Sequence, residues 1–249
     1  MLARLDLKLK CTERLSYQMS SLFHGALMEM LPKEYGEHLH HSQLHPYTQH
    51  LEMREKEWYW IVCCLEEMSV QYIIRDVLFK LEFLEIRKRN LQVHIVGKQY
   101  HEIRQKELLN HFYEMQGRRY TELHFLTPTA FKQRGRYIFY PDIRCIYQSL
   151  MNKYDAVAKE ESMIDEEALT QLYENTQIIR YDLKSVYFYL EGVKIPAFIG
   201  KVTIKMAGTQ TMANFAHLLF EFGTYAGIGI KTALGMGAYR ILEKGEMKN

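Results

Sequence analysis

Leu5, Leu7 and Leu9 alternate with Arg4, Asp6, Lys8 and Lys10, and a period of two residues belongs to a strand with one face buried. The period then changes. Met19, Leu22, Phe23, Ala26, Leu27, Met30 and Leu31 recur at steps of three and one, which predicts a helix with Ser16 near its cap and Pro32 at its end. Strand-like segments follow around 46–53 and 57–65, the second rich in aromatic and β-branched residues. A helix is expected around 69–84, carrying Tyr72, Ile73, Val77, Leu78, Leu81 and Leu84, and a strand begins near Leu91. The order is β-α-β-β-α-β.

The second half repeats that order. A strand around 120–126 leads through Thr127-Pro128 to a basic, hairpin-like segment, and a helix follows over roughly 142–157. Val186, Phe188 and Leu190 alternate with Tyr187 and Tyr189, and Gly192 turns the chain. Val202, Ile204 and Met206 alternate with Lys201, Thr203 and Lys205 before a second helical stripe of Met212, Phe215, Ala216, Leu219 and Phe220. A glycine-rich loop feeds a last strand, Gly237 to Leu242. Two such units predict an α+β protein of tandem ferredoxin-like (RRM-like) domains, 1–118 and 119–249, with the boundary near Gly117-Arg118-Arg119. The two halves show no repeat of sequence, only of element order. The acidic stretch Lys159 to Glu167 reads as an exposed connection or a polar helix start.

Composition narrows the class. The 249 residues are 47% hydrophobic and 25% charged, enough for a core and typical of a soluble domain pair. Net charge is only +2, so any grip on nucleic acid must come from local patches. Cys11, Cys63, Cys64 and Cys145 form neither a CxxC pair nor a zinc spacing, and a reducing cytoplasm is the expectation. Leu2 to Lys10 lacks the apolar stretch of a secretory signal, and the longest apolar run, Trp58 to Leu65, is too short to span a bilayer.

Candidate chemistry sits in three places. The first is the loop, with glycines at 227, 229, 235 and 237 around Lys231. Glycine allows positive φ and close approach of backbone N–H groups to an anion. A dinucleotide fingerprint would need glycine where Thr232 stands, and a P-loop would need it where Ile230 precedes Lys231. Neither fits. A site for a nucleic-acid backbone remains, beside the plainer reading of a turn that lets a strand pack closely.

The second place holds six of the eleven histidines: His24, His38, His40, His41, His45 and His50. On one helix His38, His41 and His45 would share a face, but no cysteine or carboxylate completes a zinc set, and Pro46 breaks the helix. The other reading is acid–base catalysis, because an imidazole titrates near neutrality and can move the proton of a ribose 2′-hydroxyl as it attacks phosphate. The third place is basic: Arg87-Lys88-Arg89, Arg118-Arg119, and Lys132, Arg134 and Arg136 interleaved with Phe131, Tyr137, Phe139 and Tyr140. Cations among aromatics suit phosphate contact with base stacking. An exposed hairpin carrying ordinary solvated charge has the same composition.

The loop resembles the G-x-G-x5-G-x-G signature of the CRISPR-associated repeat-processing endoribonucleases, the Cas-six family of the RAMP superfamily. Leu22-Phe-His-Gly-Ala-Leu27 is similar to that family's first-helix motif, and Glu37-His-Leu-His-His41 to the segment with its catalytic histidine. Thr127-Pro-Thr-Ala-Phe131 and Phe139-Tyr-Pro-Asp142 resemble the second-domain hairpin of members from type III-A systems. Together these matches run from residue 2 to 242. The resemblance implies a metal-independent RNase that uses no cofactor and cuts CRISPR precursor RNA within each repeat, leaving a 5′-hydroxyl and a 2′,3′-cyclic phosphate. His40 best meets the family's catalytic histidine, with His41 and His38 as contenders in a register ambiguous by one or two residues. Gly227, Gly229, Lys231, Gly235 and Gly237, with Lys132, Arg134 and Arg136, are the expected RNA contacts. Some members add a tyrosine and a lysine; Tyr35, Tyr47, Arg54 and Lys56 lie nearby but match no fixed motif. The resemblance also implies transient association with a type III effector complex and no membrane. Oligomeric state stays open, a homodimer among the alternatives, and so does a non-catalytic RNA-binding subunit of an effector complex.

Overall fold

The computed structural model describes residues 1–42, 44–104, 107, 110, 117–158 and 165–242. The chain divides into two compact units, one of Met1–Ile103 with Lys231–Gly235, the other running from Arg104 to Ile230 and again from Met236. The division is thus not a single cut: five residues of the glycine-rich loop belong with the first unit. Most of the acidic stretch, 159–164, lies outside the described residues.

In the first unit, β1 (Leu2–Lys10), β2 (Tyr47–Arg54), β3 (Glu57–Cys64), β4 (Phe83–Ile86) and β5 (Leu91–Ile103) form one antiparallel sheet in the order β2-β3-β1-β5-β4. Without β4 at the edge, this is the strand order of a ferredoxin-like unit. The alternating face of β1 buries Leu5 and Leu7 completely against Phe23 and Leu27 of α1 (Ser20–Met30) and against Ile73. Each such side chain stabilises the fold by roughly 1.5–3 kcal/mol. Phe23 meets Trp60 of β3 edge-on at 5.2 Å between centroids. Pro32 ends α1 as the spacing predicts, and α2 (Lys33–His41) starts directly after it, with the Gly36 N–H donating to the Pro32 carbonyl at 2.9 Å.

The expected helix over 69–84 is shorter. It begins at Glu67–Ser69 and continues as a π-helix over Val70–Leu78 (together α3), where the Phe79 N–H reaches back five residues to the Ile74 carbonyl at 2.8 Å. Phe83–Ile86 is strand β4, with Leu84 and Ile86 buried and paired opposite Val93 and Leu91. Leu78, Leu81 and Leu84 fit a helical period, but Leu84 and Ile86 also fit a period of two. Pairing with β5 through a turn that ends at Asn90, φ 49°, decides between them.

On the other face of this sheet lies a charged network. Arg54 donates to Asp6 at 2.6 Å and to Glu52 at 2.7 Å, Arg4 donates to Asp6 at 2.7 Å, and His50 sits 3.2 Å from Glu52. Burial pushes the Glu52 carboxyl up, yet its hydrogen bonds from His50 and Arg54 prevail and hold it below the usual range.

In the second unit, β6 (Tyr120–Thr129), β9 (Thr176–Leu190), β10 (Val193–Met206) and β11 (Tyr239–Leu242) form an antiparallel sheet in the order β11-β6-β10-β9. This is again the ferredoxin-like order. Helices α4 (Ile143–Val157), α5 (Glu166–Glu174) and α6 (Gln210–Ala226) supply Tyr147, Leu150, Leu172, Leu219 and Phe220 to its core. Asp142 caps α4 by accepting from the Cys145 N–H at 2.8 Å. The last strand starts at Tyr239 rather than Gly237, because the Gly237 N–H is drawn to the Pro128 carbonyl at 3.0 Å. β7 (Phe131–Gln133) and β8 (Arg136–Ile138) form the small hairpin expected from the basic segment. Among the described residues, no helix is long and apolar enough to cross a membrane.

Candidate active site

Three histidines and a tyrosine meet in the first unit. His24 lies on α1, His40 in the last turn of α2, His45 between α2 and β2, and Tyr47 opens β2. The Tyr47 hydroxyl sits 2.7 Å from His24 Nδ1, and the two rings stack with planes 9° apart. His45 stands edge-on to His24 at 6.3 Å and tilted to Tyr47 at 5.8 Å. Burial first, then the like charges His45 and His40, push the His24 imidazole down to about 4, against a hydrogen bond to the Ala233 backbone that raises it. That bond favours the charged ring, so a His24 N–H donates to the Ala233 carbonyl, and Nδ1 is left to accept from Tyr47. His24 is therefore a neutral imidazole with both nitrogens engaged. Burial and His40 also lower His45, whose Nδ1 is enclosed and without a partner among the described residues.

His40 differs. It is exposed to solvent, yet it acts electrostatically on both His24 and His45. His38 instead stacks on Tyr35 at 6.1 Å, and His41 is exposed. His38, His41 and His45 share no helical face, because α2 ends at His41. Among the described residues, no group of three or more histidine, cysteine or carboxylate side chains is arranged to hold a metal ion. Of the other nearby candidates, Arg54 is held by Asp6 and Glu52, and Tyr35 stacks on Tyr72 at 4.6 Å. Exposed Lys56 occupies the β2–β3 turn at φ 70°.

The glycine-rich loop is built differently from a phosphate cradle. The Gly229 N–H donates to Ser149 Oγ at 2.8 Å, Gly227 to the Gly223 carbonyl at 2.7 Å, and Gly237 to that of Pro128. Gly235 donates to the Thr232 carbonyl at 3.4 Å and Ile230 to that of Ala130 at 3.0 Å. These amides hold the loop's own path. The use of the glycines is steric: at Gly229, φ 83°, a Cβ would strike the Ala130 carbonyl oxygen, and at Gly235, φ 104°, it would strike Ser20. Lys153 fixes the loop's start, its buried ammonium donating to the Ala226 and Gly227 carbonyls at 3.1 and 3.0 Å. Burial pushes this amine down to about 7. What the loop does present is Lys231, exposed at φ 57° before the short turn Thr232–Leu234.

On the β7–β8 hairpin, Arg134 and Gly135 both take positive φ in a two-residue turn. Lys132, Arg134 and Arg136 are exposed, and Lys132 stands 5.6 Å from the centre of the Tyr137 ring. Phe139 and Tyr140 are exposed beside them. Of the other basic runs, Arg119 is engaged with the Met206 and Gly208 carbonyls, and Arg87 pairs with Glu29 at 3.4 Å. Sequence reasoning placed His24 only within the histidine group, with no role of its own, and singled out none of Gln49, Ser149 and Lys153, since hydrogen bonds across elements leave no periodic trace.

Residues 123–239 match the family described as CRISPR-associated endoribonuclease Cas6. The protein of that description from Streptococcus thermophilus is 34% identical over 223 residues, 89% of this chain and 90% of its own length. One from Mycobacterium tuberculosis is 31% identical over 222 residues, 88% of this chain and 70% of its own. Among solved structures, a Cas6 product complex superposes with a TM-score of 0.80 at 22% identity, covering 97% of this chain and 99% of that one. Thermus thermophilus Cas6 superposes with a TM-score of 0.72 at 20% identity, covering 97% and 98%. The structural likenesses show the same α+β fold of paired ferredoxin-like units, and the sequence relationship carries the rest: this chain belongs to the Cas6 family of CRISPR-associated endoribonucleases.

Proposed function

We propose that this protein cuts CRISPR precursor RNA within its repeats without a metal ion, by attack of a ribose 2′-hydroxyl on the adjacent phosphate. The products are a 2′,3′-cyclic phosphate and a 5′-hydroxyl. His40 serves as general base or general acid. The observation that carries this reading is the contrast among the imidazoles: His24 has both nitrogens engaged, whereas His40 is open to solvent beside the same cluster. Lys231 and the hairpin cations Lys132, Arg134 and Arg136 contact the RNA backbone, with Tyr137, Phe139 and Tyr140 available for stacking. Solved Cas6 proteins of the same fold have been captured as product and substrate-mimic complexes, which supports an RNA repeat as the substrate here. By resemblance, the protein serves a type III-A system and associates transiently with its effector complex.

The test is incubation with a repeat-spacer-repeat RNA in EDTA and mapping of the product ends. Cleavage persists in EDTA, stops when the scissile nucleotide is 2′-deoxy, and falls by several orders of magnitude in His40→Ala while RNA binding survives. Full activity in that variant would move the role to His41 or His38. No cleavage by the wild-type protein would make it a non-catalytic RNA-binding subunit.

A further inference from the structure

Strand β9 lies at an edge of the second sheet, paired with β10 on one side and with no strand on the other among the described residues. It runs for 15 residues and contains no proline. An unpaired row of backbone N–H and C=O groups is a template for another strand, and exposed edges are normally kept short, covered or interrupted. One interruption is present: Arg180 stands opposite Thr203 and Ile178 opposite Ile204, so Ile179 bulges. From Arg180 onward the ladder with β10 is regular. The core also stops short of this edge. Val202 of β10 is fully buried, while Tyr181 directly opposite it on β9 is 70% exposed. Ser185 is exposed, and Leu183 between them is half-buried against the core.

The side chains along this edge complement their own copy. In an antiparallel pair, residues directly opposite share a face and interact. A strand that meets a second copy about a two-fold axis through the sheet therefore has one residue opposite itself. Centring on Asp182 or on Lys184 brings like charges face to face, and centring on Tyr181 runs the ladder through the Ile179 bulge. Centring on Leu183 sets Asp182 opposite Lys184 of the copy and Lys184 opposite Asp182, with Tyr181 opposite Ser185 and Leu183 opposite Leu183. Asp182 and Lys184 are both exposed. The two ion pairs then fall on one face of the joined sheet, and Tyr181 and Leu183 on the other.

We propose that β9 is a dimerisation edge: two copies of this chain pair antiparallel along Arg180–Val186, centred on Leu183, and join their four-stranded sheets into one. The contact uses the same surface on both copies and closes at two subunits. It satisfies the outer N–H and C=O groups of both strands and draws Tyr181 and Leu183 out of water. Lys184 opposes other registers and is matched in this one, so the edge selects its partner.

Sedimentation equilibrium of the whole protein without RNA reads the dimer constant, and a urea midpoint checks the fold of each variant. Asp182→Lys sets two lysine–lysine contacts across the axis, and Lys184→Asp sets two aspartate–aspartate contacts. Each weakens the dimer by about ten-fold or more, because two opposite-charge pairs become like-charge pairs at once. Both changes in one chain restore the dimer, and an equimolar mixture of the two single variants forms a heterodimer in which both pairs are matched. Asp182 also stands opposite Lys201 of β10, so Asp182→Lys carries a cost within the monomer, whereas Lys184 stands opposite Ile199. Should Asp182→Lys fail to fold, Asp182→Asn in the Lys184→Asp background removes the like charges and recovers part of the dimer. A wild-type protein that stays monomeric overturns the proposal, as does a dimer that Lys184→Asp leaves unchanged or that the compensating changes fail to restore. Loss of RNA affinity in Lys184→Asp with no change in association makes the edge an RNA contact, and overturns it as well.

Discussion

Acidification should unfold this protein partly through one imidazole, His24. Its Nδ1 accepts from Tyr47 at 2.7 Å, and burial with two neighbouring histidines pushes it down to about 4 in the folded state. An unfolded histidine titrates at about 6.5. Between these two values the unfolded chain binds a proton that the folded chain refuses. Stability from His24 is thus fully present above pH 6.5 and is lost as pH falls toward 4. At pH 5 the two-pKa linkage gives a loss of about 2 kcal/mol, with a slope of about 1.2 kcal/mol per pH unit. His45 and His50 are lowered as well and act in the same direction, so the total slope does not isolate His24. The difference between wild type and His24→Gln does, since an amide can pair with Tyr47 and Ala233 but cannot titrate. Urea unfolding at pH 5.0, 6.0 and 7.5 measures it. Whatever the gap in stability at pH 7.5, it should shift by about 2 kcal/mol in favour of the variant by pH 5. Parallel pH dependences for the two proteins would refute the argument that His24 is held neutral by its surroundings.

Gly229→Ala meets the Ala130 carbonyl at a φ of 83° and should lower stability by at least about 1–2 kcal/mol, read as a shifted urea midpoint. Asp142→Ala removes the cap of α4 and should cost about 1 kcal/mol in the same assay. Replacing Lys132, Arg134 and Arg136 together by alanine should weaken RNA binding and reduce the slope of log K against log salt by about 2, while leaving the unfolding midpoint within the range usual for surface substitutions. An unchanged salt slope would take the hairpin out of the RNA contact.

Strand and helix order was legible because each element repeats its apolar residues at its own period. The alternation of Leu5, Leu7 and Leu9 became β1, and Asp142 did start a helix. The reading failed where two periods share residues. Leu84 completes a helical row with Leu78 and Leu81, and only hydrogen bonding to β5 made it a strand residue. The histidines show the same limit. Spacing along the chain grouped His38 with His41 and His45, whereas in three dimensions His45 packs edge-on to His24, and His40 acts on both through its charge.

By itself the sequence determined the two ferredoxin-like units, the glycine spacing and the segment that holds the histidines, because local period and residue type are properties of neighbours in the chain. Tertiary structure alone decided which groups are open to chemistry. It paired Arg54 with Asp6 and Glu52, bonded both nitrogens of His24, and turned the loop amides to acceptors within the protein. It also tied the Lys231 turn to Gln49, 184 positions from Ala233. Whether a polar group is engaged or free depends on partners brought from distant positions, and residue type and spacing carry no record of them.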